Sequence, residues 1–310
     1  MNYLEFYALE REPFSNVPDQ RFFWNGRSHQ VALTKLQFAL SQRRGLALVT
    51  GEIGAGKTTL ARQLFESLDD DKFFRALLVV IHAEVTAVWL LHRFAQLLGV
   101  PEPKHGKLEL LGQIYQRLRE IDREDKTVSL LIDEAQMLGT RELMEEFRGL
   151  LNIEMQGRKL INFVFFGLPE VEQNLTLDEP LRQRVALRIG LQRYDEHDTT
   201  EYIAHRLRIA GGDPELINVD AARCVHSFGL GSPRVTNAIC DNLLLEGFLD
   251  ETRTLTVEMA KKVAGELNLQ PPQRDPLAEI LGRRPGNQPA PNAEEWREVD
   301  LDKLLSFLDE

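Results

Sequence analysis

Three glycines, a lysine and two threonines stand together in Gly51-Glu52-Ile53-Gly54-Ala55-Gly56-Lys57-Thr58-Thr59. That combination suits a phosphate chain. Glycine lets the backbone turn sharply and aim several N–H groups inward as an anion-binding nest. The loop opens onto a helix N-terminus, where free amides and the dipole favour negative charge. Lys57 can reach the outer phosphates, and the Thr58 hydroxyl can ligate Mg²⁺. A second group of acids lies further along, where VSLLIDEAQ (128–136) ends on Asp133 and Glu134. Asp133, at a strand tip, is placed to hold the metal directly or through water. Glu134 is placed to orient or deprotonate an attacking water. An apolar run ending in two acids is a weak signal alone, and the glycine loop upstream makes it a strong one.

Such groups need strand tips to carry them. GLALVT supplies a buried strand before the loop, and TTLARQLFESL a helix after it, with Leu60, Leu64, Phe65 and Leu68 at helical spacing. Apolar strand-like runs recur at 46–50, 76–82, 128–133, 161–167 and 185–191, with helical patterns between them. Strands that are apolar throughout and alternate with helices predict an α/β fold: a parallel five-stranded sheet with helices on both faces. Phosphate ligands bind at the carboxyl ends of such strands, where the glycine loop falls. Beyond 194 only helical patterns remain, over about 195–210, 219–228, 233–249 and 256–268. The expected division is an aromatic arm (1–27), a nucleotide-binding α/β domain (28–194), an all-helical domain (195–268) and a flexible linker with an acidic amphipathic tail (269–310). Pro13 and Pro18 make the arm irregular, not helical. Leu301, Leu304, Leu305 and Leu308 in the tail are candidates for docking a partner.

The 310 residues carry a formal net charge of −11. Acidic balance argues against bulk nonspecific nucleic-acid binding. Apolar runs such as ALLVVI are too short to cross a bilayer. The start MNYLEFYALEREPF lacks the basic and apolar blocks of a signal peptide. Cys224 and Cys240 are not spaced as metal ligands or a redox pair, so a cytoplasmic location is expected.

Several stretches resemble one group of proteins. They are YLEFYALEREPFSNVPDQRFFW, SHQVALTKLQFAL, GEIGAGKTT, LLIDEAQML, FFGLPE, EYIAHRLRIAGG and GLGSPRVTNAICDNLLL. In order and spacing, over about residues 2–267, they are similar to AAA+ P-loop ATPases of the general secretion pathway protein A type. The resemblance implies ATP and Mg²⁺ as cofactors. Lys57 and Thr58 would meet phosphate and metal, Asp133 the metal, and Glu134 the attacking water. Arg234 would serve from the helical lid against the nucleotide, and the aromatic arm would line the adenine pocket. Arg184 and Arg188 are candidates for an arginine finger reaching a neighbouring subunit, Arg184 being preferred. A finger supplied in trans is worth roughly 10³-fold or more, so hydrolysis would require an ATP-dependent homo-oligomer, ring or filament. One departure concerns Gly167-Leu168-Pro169-Glu170, where the group commonly has a polar residue in place of Leu168. Asn162, at the far end of that strand, is a poor substitute, so the expectation is either that this polar role moves elsewhere or that turnover is slow.

The resemblance implies a motor for assembling or remodelling an envelope machine for secretion, pilus or polysaccharide export. Secretion members carry a membrane span and a peptidoglycan-binding region, and neither is read here. The chain is therefore expected to act from the cytosolic side of the inner membrane, through a protein partner. Two alternatives stand beside it. One is a DNA-bound regulator of the transposition type, using Arg43, Arg44, Arg75, Arg141, Arg148, Arg158 and Lys159. The other is a nucleotide-dependent switch or scaffold, which Leu168 favours.

Overall fold

Five strands carry the site. They are β1 (Leu46–Gly51), β2 (Phe73–Val79), β3 (Thr127–Asp133), β4 (Ile161–Gly167) and β5 (Val185–Leu191). All pair in parallel, in the order β2-β3-β4-β1-β5. The structure is a computed structural model that describes residues 2–270 except Ala83. The expected tail therefore lies, from residue 271 onward, outside the described residues.

Alternation along the strands builds two apolar layers. Leu130 and Ile132 of β3 and Phe163 and Phe165 of β4 share one core. It is covered by α4 (Ala87–Leu97), α5 (Lys107–Arg123) and α6 (Arg141–Leu151). Phe147 of α6 stands edge-on to Phe163 and Phe165, with centroids 5.0 and 4.8 Å away, a favoured aromatic geometry. Leu131, Val164 and Phe166 face the other way, against α2 (Arg27–Ser41) and α3 (Lys57–Ser67). Central strands buried on both faces are what the continuous apolar runs require.

Three expectations are corrected. The second strand spans Phe73–Val79, not 76–82, because its register with β3 begins at Phe73 opposite Thr127. The apolar run continues past the strand, and Ile81 is exposed. β5 is not apolar throughout: Leu187 and Ile189 pack against the α2–α3 layer, while Ala186, Arg188 and Gly190 are exposed. An edge strand covered on one face shows period-2 alternation. The arm contains a helical turn, α1 (Tyr3–Phe6), where Asn2 accepts the Glu5 N–H at 2.9 Å and Glu5 answers back in a capping box.

After β4 the chain makes two short helices, α7 (Val171–Leu175) and α8 (Glu179–Arg182), and crosses to β5. Four longer helices follow: α9 (Glu196–Ile209), α10 (Val219–Gly229), α11 (Pro233–Leu249) and α12 (Val257–Glu266). Asp195, Asn218 and Thr256 cap α9, α10 and α12 through side-chain oxygens, and proline opens α11. Their apolar faces form a third core, completed by Tyr7, Leu9, Phe14 and Phe22 of the arm. Arg206 of α9 clasps the two together. It donates to the carbonyls of Pro13 and Ser15 and, at 2.7 Å, to the Tyr202 hydroxyl. Its guanidinium lies 4.8 Å over the Phe22 ring. These contacts give a buried cation the polar partners it needs without a carboxylate.

Candidate nucleotide site

The phosphate loop, the two acids and the turn after β4 meet because β1, β4 and β3 are neighbours whose carboxyl ends align. They border a cleft of about 450 Å³. Ile53, Gly54, Gly56, Lys57, Thr58 and Thr59 line its floor, and Glu134, Gln136, Met137 and Leu168 one side. The arm contributes Phe22, Phe23 and Trp24, and the helical part Tyr194, Tyr202, Arg234 and Asn237.

Two loop glycines are forced by geometry. Gly54 has φ +79°, and a Cβ there would sit 2.5 Å from Ser232 Oγ. Gly56 has φ +88°, and a Cβ there would meet His29 Nε2 at 2.8 Å. Both backbone angles favour glycine. Gly56 is also the N-cap of α3, so Lys57 and Thr58 open the helix beside its free amides. Lys57 is almost buried, and its ammonium donates to the carbonyls of Gly51 at 2.8 Å and Glu52 at 2.9 Å. Burial pulls its pKa below the usual lysine value, opposed by the carboxylates of Glu134, Asp133, Glu52 and Glu170. Ala55 is buried under the loop.

Asp133 is buried and accepts the Glu134 N–H at 3.0 Å, with the Thr58 hydroxyl beside it at the cleft. Burial pushes its carboxyl up, and the bonds from Thr58 and the Glu134 N–H hold it down. A hydroxyl and a carboxylate side by side are the oxygen donors that a hard divalent cation takes, so this pair fits Mg²⁺. Glu134 sits at φ +57°, in the left-handed region. Its Oε2 accepts from Gln136 Nε2 at 2.5 Å.

Arg184 and Arg188 do not line the cleft. Arg184 bonds the Asn152 side chain, and Arg188 pairs with Glu172 at 3.3 Å. Arg234 does line it, its Cβ lying 3.2 Å from where a Gly54 Cβ would be. Asn162 is structural: it accepts the Gly45 N–H at 2.9 Å and donates to Val128 O at 3.1 Å.

Sequence reasoning passed over several lining residues, Gln136 and His29 among them. Gln136 stood in view inside DEAQ, but nothing local showed what it touches. His29 opens α2 beneath Gly56, only 2% exposed. Burial holds its pKa down at about 4 from an ordinary 6.5, against a hydrogen bond at the Ala55 backbone. An unfolded chain takes up this proton near 6.5, whereas the folded one stays neutral until about 4. The unfolded state therefore binds more protons as pH falls through that window. Stability present above pH 6.5 is lost toward pH 4, by about 3 kcal/mol from this group. Urea melts at several pH values should show this slope in the wild type and a flatter one in His29→Gln. Equal slopes would remove His29 as the cause.

Comparisons with known proteins bear on the family and the fold. Residues 40–175 match the family described as AAA domain. General secretion pathway protein A of Aeromonas hydrophila is 31% identical over 250 residues, which are 79% of this chain and 45% of that protein. The chain thus spans under half the length of the curated relative it matches. Among solved structures, the ADP form of the ORC2 protein of Aeropyrum pernix aligns with a TM-score of 0.63 at 15% identity, covering 97% of this chain and 85% of that one. Cdc6p from Pyrobaculum aerophilum aligns with a TM-score of 0.63 at 19% identity, covering 95% and 89%. The RuvB Holliday junction branch migration motor of Thermotoga maritima reaches 0.54 at 18% identity, covering 90% and 87%. At these identities the structures speak for the fold.

Proposed function

We propose that the chain is an AAA-type P-loop ATPase, as its similarity to the AAA domain and to general secretion pathway protein A supports, and that it binds and hydrolyses Mg-ATP. One observation carries the reading. Lys57, the Thr58–Asp133 pair and Glu134 converge on a single cleft, with aromatic side chains opposite for a base. Thr58 and Asp133 would hold magnesium, which when bound neutralises charge on the phosphates. Lys57 leaves the loop carbonyls for the outer phosphates. Gly54, Gly56 and their neighbours donate backbone N–H groups, Arg234 adds a cation from above, and Glu134 orients water.

Hydrolysis serves assembly or remodelling of an envelope-associated machine, through a protein partner at the inner face of the inner membrane. The name of the relative supports that role. Among the described residues no helix is long and apolar enough to cross a membrane. The chain works as an ATP-dependent homo-oligomer. Arg184 and Arg188 lie outside their own cleft, and to reach a neighbour's they would leave Asn152 and Glu172.

Duplex DNA has less support. Of the basic residues named for it, Arg43, Arg75, Arg141, Arg148, Arg158 and Lys159 each pair with an acid, namely Asp122, Asp70, Glu145, Asp178, Asp125 and Glu154. Pairs of this kind neutralise a face that phosphates would need.

Particle sizing with ATP, with ADP and without nucleotide tests the proposal. Growth with ATP alone is expected, and Arg184→Ala should keep that growth and lose phosphate release. A particle of one size in all three conditions would refute the oligomer. A gel shift at about 50 mM salt that vanishes at higher salt would restore DNA.

A further inference from the structure

We infer that Gln136 is a positioning residue for Glu134: its side-chain amide clamps the carboxylate to the turn after β4 and so holds it in the orientation that meets water. The inference rests on the ATPase reading above.

Gln136 is fixed at both ends of its amide. Nε2 donates to Glu134 Oε2 at 2.5 Å, and Oε1 accepts the Leu168 N–H at 3.1 Å. Chemistry dictates which end is which. A backbone N–H requires an acceptor and a carboxylate requires a donor, so the amide has one consistent orientation. Its own backbone is tied too, since Gln136 O accepts from Asn174 Nδ2 at 2.8 Å. Gly167 makes room for this approach: a Cβ there would come within 2.8 Å of Gln136 Oε1. Leu168 lines the cleft but brings no side-chain donor or acceptor. Leu168 therefore reaches Glu134 only through its backbone N–H, and Gln136 is the connection. Holding one carboxylate oxygen fixes the plane of the group and leaves the second oxygen for water. A hydrogen bond to an ionised carboxylate is among the stronger ones available to a side chain.

The test uses the full chain, with phosphate release and nucleotide affinity measured on Gln136→Met and Gln136→Glu. Met keeps the shape and loses both bonds. Glu keeps an acceptor for the Leu168 N–H but faces Glu134 with a second carboxylate. Should either variant fail to fold, the other still answers. Both are expected to lower kcat by about 10- to 100-fold, with KM within about twofold, as small misplacements of a reacting group do. In a Glu134→Gln background, adding Gln136→Met should change kcat by less than about twofold, because the residue it positions is already gone. A kcat near wild type in either single variant would overturn the inference. So would a loss that appears in KM, or one that persists in the Glu134→Gln background. If the wild type releases no phosphate, or Glu134→Gln leaves release unchanged, the ATPase reading fails instead.

Discussion

Glu134→Gln is expected to lower ATP turnover by about 10²- to 10⁴-fold while ATP affinity stays within about twofold. The substitution changes one carboxylate oxygen into an amide nitrogen and keeps the volume. What disappears is the negative charge that accepts or orients a proton of water. Its two neighbours at the strand tips do not replace it: Asp133 is buried beside Thr58, and Leu168 has no polar side chain. Binding should survive because the phosphate-facing groups are the loop amides, Lys57 and Thr58. Affinity can even improve slightly, since one carboxylate is removed from the neighbourhood of a triphosphate. Phosphate release with parallel calorimetry checks both halves. Turnover unchanged by the substitution would deprive Glu134 of a catalytic role.

Lys57→Ala should weaken ATP binding by roughly 10- to 150-fold, which is what loss of a charge-assisted hydrogen bond of about 1.5–3 kcal/mol gives. The Lys57 ammonium holds two loop carbonyls, those of Gly51 and Glu52, and sits in the field of four carboxylates. Release of those carbonyls offsets part of the gain from phosphate, so the effect is smaller than a bare Coulomb estimate. Alanine also leaves the two carbonyls without a donor, which loosens the loop. Calorimetry with magnesium on folded protein reads the outcome. Undiminished binding by Lys57→Ala would mean that the nucleotide sits elsewhere.

The parts of this site that were legible in the sequence are those written in adjacent residues. Gly51 to Thr59 and Asp133–Glu134 are contiguous, and the apolar runs around them announce the strands that bring them to one edge. Strand ends were harder to read. β2 starts at Phe73 because of its pairing with Thr127, and an apolar run cannot report a register. The alternation in β5 is written as Val-Ala-Leu-Arg-Ile-Gly-Leu, but its small and apolar residues also fit a continuous run, and only the packing on one face decides between them. The capping box at Asn2 and Glu5 was also in plain sight, hidden by the attention that Pro13 and Pro18 draw. Gln136 is a different case. Its partner on the turn is 32 residues away, and only folding sets the two side by side. Arg206 is further still from legibility, since one of its partners, Pro13, is 193 residues upstream.

That last span has a consequence for how the molecule comes into being. Every pairing of the five-stranded sheet closes between residues 46 and 191. The third core instead joins Tyr7, Leu9 and Phe14 to residues as distant as Val263. Contacts of such sequence separation form late and slowly. During synthesis the sheet can consolidate while the aromatic arm upstream of it waits, its rings unpaired, for α9 to α12 to emerge. A nascent chain stopped short of α12 would hold a phosphate loop while the third core, which carries its opposite wall, is unfinished.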